Sequence, residues 1–167
     1  RYGHVLEDFG RYKRAGVNLG IGTDTTPHNM IEEMRWAAIL GRVAAEDMFS
    51  ITTEDIFNAA TVDGAAALLR NDIGRLAPGM KADLILVDLT NPNMRPARDP
   101  LRSLIYAAAD RAVRDVFVDG TQVVADGKVL TMDLEGACYR VELAQKRMME
   151  KVPSIDYAKR TIGDLAP

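Results

Sequence analysis

Residues 73–89, IGRLAPGMKADLILVDL, indicate a local structure more clearly than any other stretch of the chain. Gly74 and the pair Pro78-Gly79 are typical of a turn, because glycine accepts positive φ angles and proline fixes its own φ. The apolar run at residues 82–87 has the length of a strand and begins with one acid, Asp83, which we expect to be buried. The segment therefore predicts a tight turn that leads into a strand.

The chain beyond this strand carries hairpin signals. Short strands are predicted at residues 113–118, 123–124 and 129–130. The pairs Asp119-Gly120 and Asp126-Gly127 separate them, and both residues of an Asp-Gly pair tolerate positive φ. We therefore expect these strands and residues 82–87 to share one sheet.

Two helices are predicted around this group of strands. Asp99-Pro100 is typical of a helix start, and the helix should continue to about Ala108. The last helix is predicted at residues 135–150 and should end at Pro153, because proline lacks the N–H that a helix interior needs.

The first 72 residues favour helices around a single strand. Residues 5–15 have helical spacing and stop at Gly16, whereas residues 17–22 place apolar side chains at every second position. Gly20 and Gly22 occupy the other face of this predicted strand, where a barrel interior or a neighbouring helix can come close.

Two longer helices complete this part of the chain. Thr25 or Thr26 is expected to cap the first, with Pro27 at its first position. Its apolar stripe is predicted to contain Met30, Ile31, Met34, Ala38 and Ile39. The second begins near Thr52 or Thr53, bends near Gly64 and ends about Arg70.

Composition is that of a water-soluble globular protein. The chain has 167 residues, 47% of them apolar, and a formal net charge of −3, without the basic stripe expected of a nucleic-acid surface. No apolar run approaches the roughly 20 residues of a membrane span. The single cysteine, Cys138, excludes an internal disulfide and favours the cytoplasm. The chain starts at Arg1, without Met and without a signal-peptide pattern.

Three motifs in this order resemble those of the metal-dependent amidohydrolases. Residues 74–84 read G-x-L-x-P-G-x-x-A-D-L, residues 60–68 read A-T-x-x-G-A-x-x-L, and residues 16–24 read GVNLGIGTD. The resemblance extends over about residues 5–133 and is greatest to the branch of cytosine-deaminase-like enzymes and triazine-degrading chlorohydrolases. Members of this branch carry a first metal-binding pair, H-x-H, whereas this chain has only His4 and His28.

The resemblance implies an α/β architecture in three parts. Residues 1–72 would be the end of a (β/α)8 barrel, with residues 17–22 as its eighth strand. Residues 73–131 would form the C-terminal half of a small β-sandwich domain, and residues 132–167 a C-terminal helix and tail. That tail would pack on the barrel or on a second subunit.

Asp24 is the main candidate for a catalytic and metal-binding residue. It follows the predicted strand directly, and barrel enzymes carry reactive groups at the C-terminal ends of their strands. The resemblance implies that Asp24 binds the metal and shuttles a proton from the metal-bound water. The structural alternative is that Asp24 only caps the helix that opens at Pro27.

The two histidines are weaker candidates. His28 lies four residues after Asp24, in what we predict to be the first helical turn, where it would contact substrate, orient a ligand or remain a solvated surface residue. His4 is interpreted as a surface residue. Since one carboxylate cannot hold a catalytic metal, we expect no transition metal to bind this chain alone.

The remaining candidates have structural explanations. The sequence at Gly20 and Gly22 is an incomplete dinucleotide fingerprint, and Cys138 has no nearby histidine. The acid pairs Glu32-Glu33 and Glu54-Asp55 fall in or near first helical turns, where negative charge complements the helix dipole.

Two functional hypotheses follow. The first is the C-terminal part of a divalent-metal (zinc or iron) hydrolase that cleaves a C–N bond, or a C–Cl bond, of a small molecule with metal-activated water. The second is a non-catalytic fragment or interaction module. In either case exposed strand edges predict a homo-oligomer, with no nucleic-acid or membrane partner.

Overall fold

The computed structural model of the protein describes residues 8–24 and 27–165. Within these ranges the chain forms two compact units, which divide between Gly127 and Lys128. The mixture of helices and strands confirms the predicted α/β character. None of the helices in the described ranges combines the length and the apolar character that a membrane span requires.

Four helices precede the motif at residues 73–89. They are α1 (Phe9–Arg14), α2 (Met30–Ala45), α3 (Thr53–Ala60) and α4 (Val62–Ala67). Residues 5–7 of the first predicted helix lie outside the described residues, so only its C-terminal part is confirmed.

Helix α2 begins later than predicted. Its cap is Asn29, whose side-chain oxygen accepts hydrogen bonds from the backbone N–H groups of Ile31 and Glu32 at 3.2 Å each. Pro27 therefore precedes the helix, while Thr25 and Thr26 lie outside the described residues. The predicted stripe is right for three residues, Ile31, Met34 and Ala38, which are buried. Met30 is half-buried, and the prediction is wrong for Ile39, which is exposed.

Helix α3 has the predicted cap. The Thr52 hydroxyl accepts a bond from the Asp55 N–H at 3.1 Å, and the Asp55 carboxylate accepts one from the Thr52 N–H at 2.8 Å. The break in this helical region occurs at Thr61 (φ −126°, ψ −94°), three residues before the predicted bend at Gly64. Gly64 itself lies inside α4, where it packs closely against Gly20.

The end of α4 is a Schellman motif with an unusual residue. The Leu69 N–H donates to the Ala66 carbonyl at 3.0 Å and the Arg70 N–H donates to the Ala65 carbonyl at 2.9 Å. Leu69 occupies the left-handed position (φ 55°), where glycine is preferred, and its side chain is 93% exposed.

We expect Leu69→Gly to stabilise the protein by about 1 kcal/mol, because the left-handed conformation costs a side chain with a Cβ about that much. Almost no packing is lost with this side chain. The matched control is Leu68→Gly, since Leu68 is also exposed but has φ −84°. That change should destabilise by about 0.5–1 kcal/mol. Thermal melting of both variants checks the prediction, and equal shifts would contradict it.

The motif at residues 73–89 folds as predicted. Gly74 (φ 91°) and Gly79 (φ 83°) both use the left-handed region, and the Met80 N–H closes the Pro78-Gly79 turn on the Ala77 carbonyl at 3.1 Å. Strand β1 then runs over Leu84–Val87. The expectation that Asp83 is buried is wrong, because the residue is exposed. Its carboxylate accepts a hydrogen bond from the Asp119 N–H at 2.6 Å in the Asp119-Gly120 turn.

Three of the predicted strands share one antiparallel sheet. Strand β1 pairs with β2 (Val113–Val118), and β2 pairs with β3 (Thr121–Ala125). The Asp119-Gly120 turn between β2 and β3 has two positive φ angles, 50° and 78°. The Gly120 N–H donates to the Ala82 carbonyl at 3.0 Å. Ala82 and Asp83, the A-D pair of the motif, therefore both accept hydrogen bonds from this hairpin turn.

The second Asp-Gly turn is held in a similar way. The Asp126 N–H donates to the Asp115 carboxylate at 2.9 Å, and the Gly127 N–H donates to the Arg114 carbonyl at 2.8 Å. The bond from Asp126 and the Arg114 guanidinium together hold the pKa of Asp115 below its usual value.

The core of the first unit lies between helices α2 and α3 and residues 94–112. The latter contain α5 (Pro100–Ser103), capped by Asp99 as predicted, a π-helical turn at Leu104–Ala108 and a 3-10 turn at Ala109–Ala112. Side chains that are less than 3% exposed form its centre: Ala38, Ile51, Ile56, Met94, Ile105, Ala108, Ala109 and Ala112.

The second unit contains a two-residue strand, β4 (Lys128–Val129), and the helices α6 (Leu134–Ile155) and α7 (Ile162–Leu165). Strand β4 and helix α6 were both predicted. The predicted end of α6 is wrong, because Pro153 lies inside the helix and the Asp156 N–H still bonds to the Val152 carbonyl at 2.9 Å. Proline removes one donor there without stopping the last turn.

Candidate active-site segment

Residues 17–24 connect α1 to α2 and carry the main candidate, Asp24. The prediction of a buried strand at residues 17–22 is wrong for this chain, because the segment is neither helix nor strand and Val17 is 47% exposed. A strand needs a neighbouring strand for its ladder of hydrogen bonds, and β1, β2 and β3 pair only with one another in the first unit.

Helices α3 and α4 hold this segment in place of a sheet. The Ile21 N–H donates to the Ala59 carbonyl at 3.1 Å, and the Asn18 side-chain amide donates to the Asp63 carbonyl at 2.9 Å. Gly20 lies against Gly64, since a Cβ added to Gly20 would be 3.3 Å from the Gly64 Cα. Of the two neighbours predicted for Gly20, a barrel interior or a helix, the helix is confirmed, whereas no described atom lies within 4 Å of a Cβ added to Gly22.

Asp24 follows this anchored segment in a left-handed conformation (φ 52°) that non-glycine residues seldom adopt. It is exposed, and its carboxylate has no hydrogen bond or ion pair with the described residues. The structural alternative is wrong, because Asn29 caps α2 and Asp24 does not.

His28 lies immediately before the cap residue Asn29 and is exposed. The predicted position inside the first helical turn is therefore wrong by two residues. His28 and Asp24 are on the same connection into α2, but His4 lies outside the described residues.

A metal ion would need more ligands than the described residues bring together. Within residues 8–24 and 27–165, no group of three or more His, Cys, Asp or Glu side chains is placed to hold one. Asp24 can supply one oxygen ligand, whereas a catalytic zinc has three protein ligands. Residues 8–24 and 27–165 by themselves therefore do not fit a catalytic metal.

The weaker candidates keep their structural interpretation. Asp55 belongs to the capping box of α3 and pairs with the Lys13 ammonium at 2.5 Å. Burial raises the pKa of Asp55, but the bonds from Lys13 and Thr52 outweigh it and hold that pKa below its usual value. Glu32 and Glu33 lie in the first turn of α2, and Cys138 is an exposed free thiol.

Sequence comparison decides the family. The profile of the amidohydrolase family matches residues 3–123. The chain belongs to the amidohydrolase family. The predicted resemblance is thereby confirmed, and the three motifs that carry it all lie inside the matched range.

Relatives of this amidohydrolase chain include named deaminases. A 5-methylthioadenosine/S-adenosylhomocysteine deaminase from Pelotomaculum thermopropionicum is 39% identical over 143 residues, which is 83% of this chain and 32% of the relative. The chain thus spans about a third of the length of the curated relatives that it matches.

Solved structures agree with this assignment. An adenosine deaminase from Xanthomonas campestris with bound zinc matches 83% of this amidohydrolase chain and 33% of its own, with 35% identity and a TM-score of 0.78. A zinc complex of an atrazine chlorohydrolase from Arthrobacter aurescens matches 80% and 31%, with 25% identity and a TM-score of 0.71. Zinc-binding enzymes therefore share the fold of this amidohydrolase chain.

The residues that anchor the candidate segment were largely missed at the level of sequence. The sequence predicts Gly64 only as a helix bend, places Asn18 on the same strand face as Gly20 without a partner, and gives no signal for Asp63. Only Gly20 predicted a packing contact, because glycine on one face of a predicted strand indicates a close neighbour.

Proposed function

We propose that this chain is the C-terminal portion of a metal-dependent hydrolytic deaminase, which replaces an amino group on a small nitrogen heterocycle with a hydroxyl from water. The supporting observation is the 39% identity to a nucleoside deaminase over 83% of the chain. The substrate class follows from the names of the relatives and from the zinc-bound adenosine deaminase of similar fold.

The same proposal assigns the three parts of the chain. Residues 1–72 form the end of a (β/α)8 barrel, residues 73–131 half of a small β-sandwich domain, and residues 132–167 the C-terminal helix and tail. In the complete barrel residues 17–22 become a strand, because a neighbouring strand supplies the ladder that the described residues lack. The TM-score of 0.78 to a complete amidohydrolase supports this assignment.

Cleavage of a C–Cl bond is the second candidate reaction. It is favoured by the similarity to an atrazine chlorohydrolase, at 25% identity. The two deaminases described above are more similar, at 39% and 35% identity, and we therefore place C–N cleavage first. A full-length sample assayed with an aminopurine nucleoside and with a chlorotriazine distinguishes the two by the leaving group, ammonia or chloride.

Asp24 is the residue of this chain that we assign to the reaction. Its carboxylate would take the proton from the attacking water and would give one oxygen to a divalent metal, zinc or iron. The other ligands would have to come from elsewhere in the full-length protein, since the described residues form no ligand group. We propose that His28 lies near the substrate or orients a ligand.

The isolated chain is expected to hydrolyse neither aminopurine nucleosides nor chlorotriazines and to bind no stoichiometric transition metal, because three or more ligands are needed and one is in place. Elemental analysis of the purified chain checks the metal, and ammonia release checks the activity. Near-stoichiometric zinc or iron would contradict this expectation. The full-length protein is the positive control, and its inactivity on the same substrates would end the proposed function.

A non-catalytic fragment or interaction module is the alternative. The complete open reading frame distinguishes the hydrolase from the module without an assay. An H-x-H pair near its start would favour the hydrolase. A native start codon just before Arg1 would favour the module.

The isolated chain is also expected to self-associate. Apolar side chains form a second face on α2, where Trp36 is 54% and Val43 is 57% exposed, and Phe49 beyond the helix is 84% exposed. Exposed apolar surface of this kind promotes association. Light scattering should show oligomers, and Trp36→Lys should reduce their size. A clean monomer at high concentration would contradict the expectation.

A further inference from the structure

The three motifs of the family resemblance contact one another at helix α4. On the segment that carries Asp24, a Cβ added to Gly20 would be 3.3 Å from the Gly64 Cα and 3.7 Å from the Ala67 Cβ. On the turn at Gly74, an added Cβ would be 2.8 Å from the Ala65 Cβ. Real Cβ atoms rarely approach so closely, so α4 is packed against backbone at both glycines.

Two hydrogen bonds reinforce the contact at Gly20. Ile21 donates to the Ala59 carbonyl and Asn18 to the Asp63 carbonyl, at 3.1 and 2.9 Å. Together with the glycine contact, they fix residues 18, 20 and 21 to the junction of α3 and α4. Asp24 is only three residues beyond Ile21.

We infer that Gly20 and Gly64 are positioning residues for Asp24, an inference that rests on the proposed function. Among the described residues, the segment has open space at Gly22 and no strand partner in β1, β2 or β3, and the contacts of residues 18–21 are with the α3–α4 junction. A Cβ at Gly20 would require α4 or the segment to give way by a few tenths of an ångström, and the two further methyls of valine would require more. We expect the segment to move, and Asp24 to move with it. Displacement of a reacting group by about 1 Å can cost about 10²-fold in rate.

Gly64 acts on the same contact from the other side. A Cβ added to Gly64 would be 2.9 Å from the Ala59 carbonyl oxygen, which accepts the bond from Ile21. Substitutions at Gly20 and at Gly64 should therefore disturb the same hydrogen bond, although the two residues are 44 positions apart along the chain.

Amide hydrogen exchange of the isolated chain tests the anchoring step. In Gly20→Val we expect protection of the Ile21 N–H to fall about tenfold or more, with a smaller loss in Gly20→Ala, because loss of a hydrogen bond exposes the amide to water. Gly22→Ala is the matched control, since it adds the same methyl two residues away in open space. Unchanged Ile21 protection in Gly20→Val, or equal loss in Gly22→Ala, would overturn the inference.

Kinetics of the full-length enzyme test the effect on Asp24. In Gly20→Val, kcat should fall about tenfold or more and by a larger factor than KM changes, because the displaced Asp24 acts in the chemical step. Gly20→Ala gives a milder form of the same change if the valine variant folds poorly. Gly79→Ala is the control for lost stability, as Gly79 has positive φ in open space.

The outcomes separate this inference from the proposed function. In one outcome, Asp24→Asn abolishes activity while the kcat of both Gly20 variants equals that of the stability control Gly79→Ala. In that case the positioning role is wrong and the proposed function stands. If Asp24→Asn keeps its kcat, the catalytic assignment itself fails, whatever the exchange data show.

Discussion

Asp24→Asn in the full-length enzyme is expected to lower kcat by about 10² or more, the usual scale for loss of a general base. Asparagine keeps the shape of the side chain but cannot take a proton from water. The fold should tolerate the change, because Asp24 is exposed and asparagine accepts its left-handed backbone (φ 52°). Steady-state kinetics and a melting curve on one sample measure both effects.

Asp126→Asn is the matched control for this experiment. Asp126 is also exposed and left-handed (φ 49°), but it lies in a hairpin turn outside the proposed site. Its kcat should equal that of the unmodified enzyme. Retained kcat in Asp24→Asn, or the same loss in both variants, would end the catalytic assignment of Asp24.

Gly74→Ala is expected to destabilise the protein by about 2–5 kcal/mol. Two costs combine, because alanine at φ 91° is strained and its methyl would lie 2.8 Å from the Ala65 Cβ and 3.0 Å from the Thr61 carbonyl oxygen. For a chain of this size the melting temperature should fall by about 5–15 °C. Thermal denaturation of the isolated chain measures the shift.

Gly79→Ala separates the two costs. Gly79 has a similar backbone (φ 83°), but no heavy atom lies within 4 Å of the added methyl. Only the backbone strain of about 1–2 kcal/mol should therefore remain. If the two variants melt at the same temperature, the packing of Gly74 against α4 contributes nothing, and the first glycine of the motif serves only the turn.

Local patterns in the sequence predicted most helices and strands, because those elements depend on neighbouring residues. The Thr52 cap of α3, the Asp99 cap of α5 and the Asp119-Gly120 hairpin turn are all confirmed. Each is decided by side-chain and backbone chemistry within about four residues. The errors at the start of α2 and at Pro153 are also local, where several residues compete for one boundary.

The candidate site could be predicted only in part. The sequence predicts Asp24 as a site residue because it follows an alternating apolar run, yet residues 17–22 are not a strand among the described residues. Whether such a run becomes a strand depends on a neighbour with unpaired backbone groups, and no pattern within the run can supply one. Alternation predicts which faces of a segment differ, not what lies beside them.

The sequence by itself determined the helices, the hairpins and, through its three ordered motifs, the amidohydrolase family. Tertiary structure alone decided that these motifs pack together, with Gly20 against Gly64 and Gly74 against Ala65. The physical reason is that a sequence shows which residues are glycines. It does not show which residue, far along the chain, packs into the space that a side chain would fill. Contacts between distant backbones carry no local signal, and they hold the segment on which Asp24 lies.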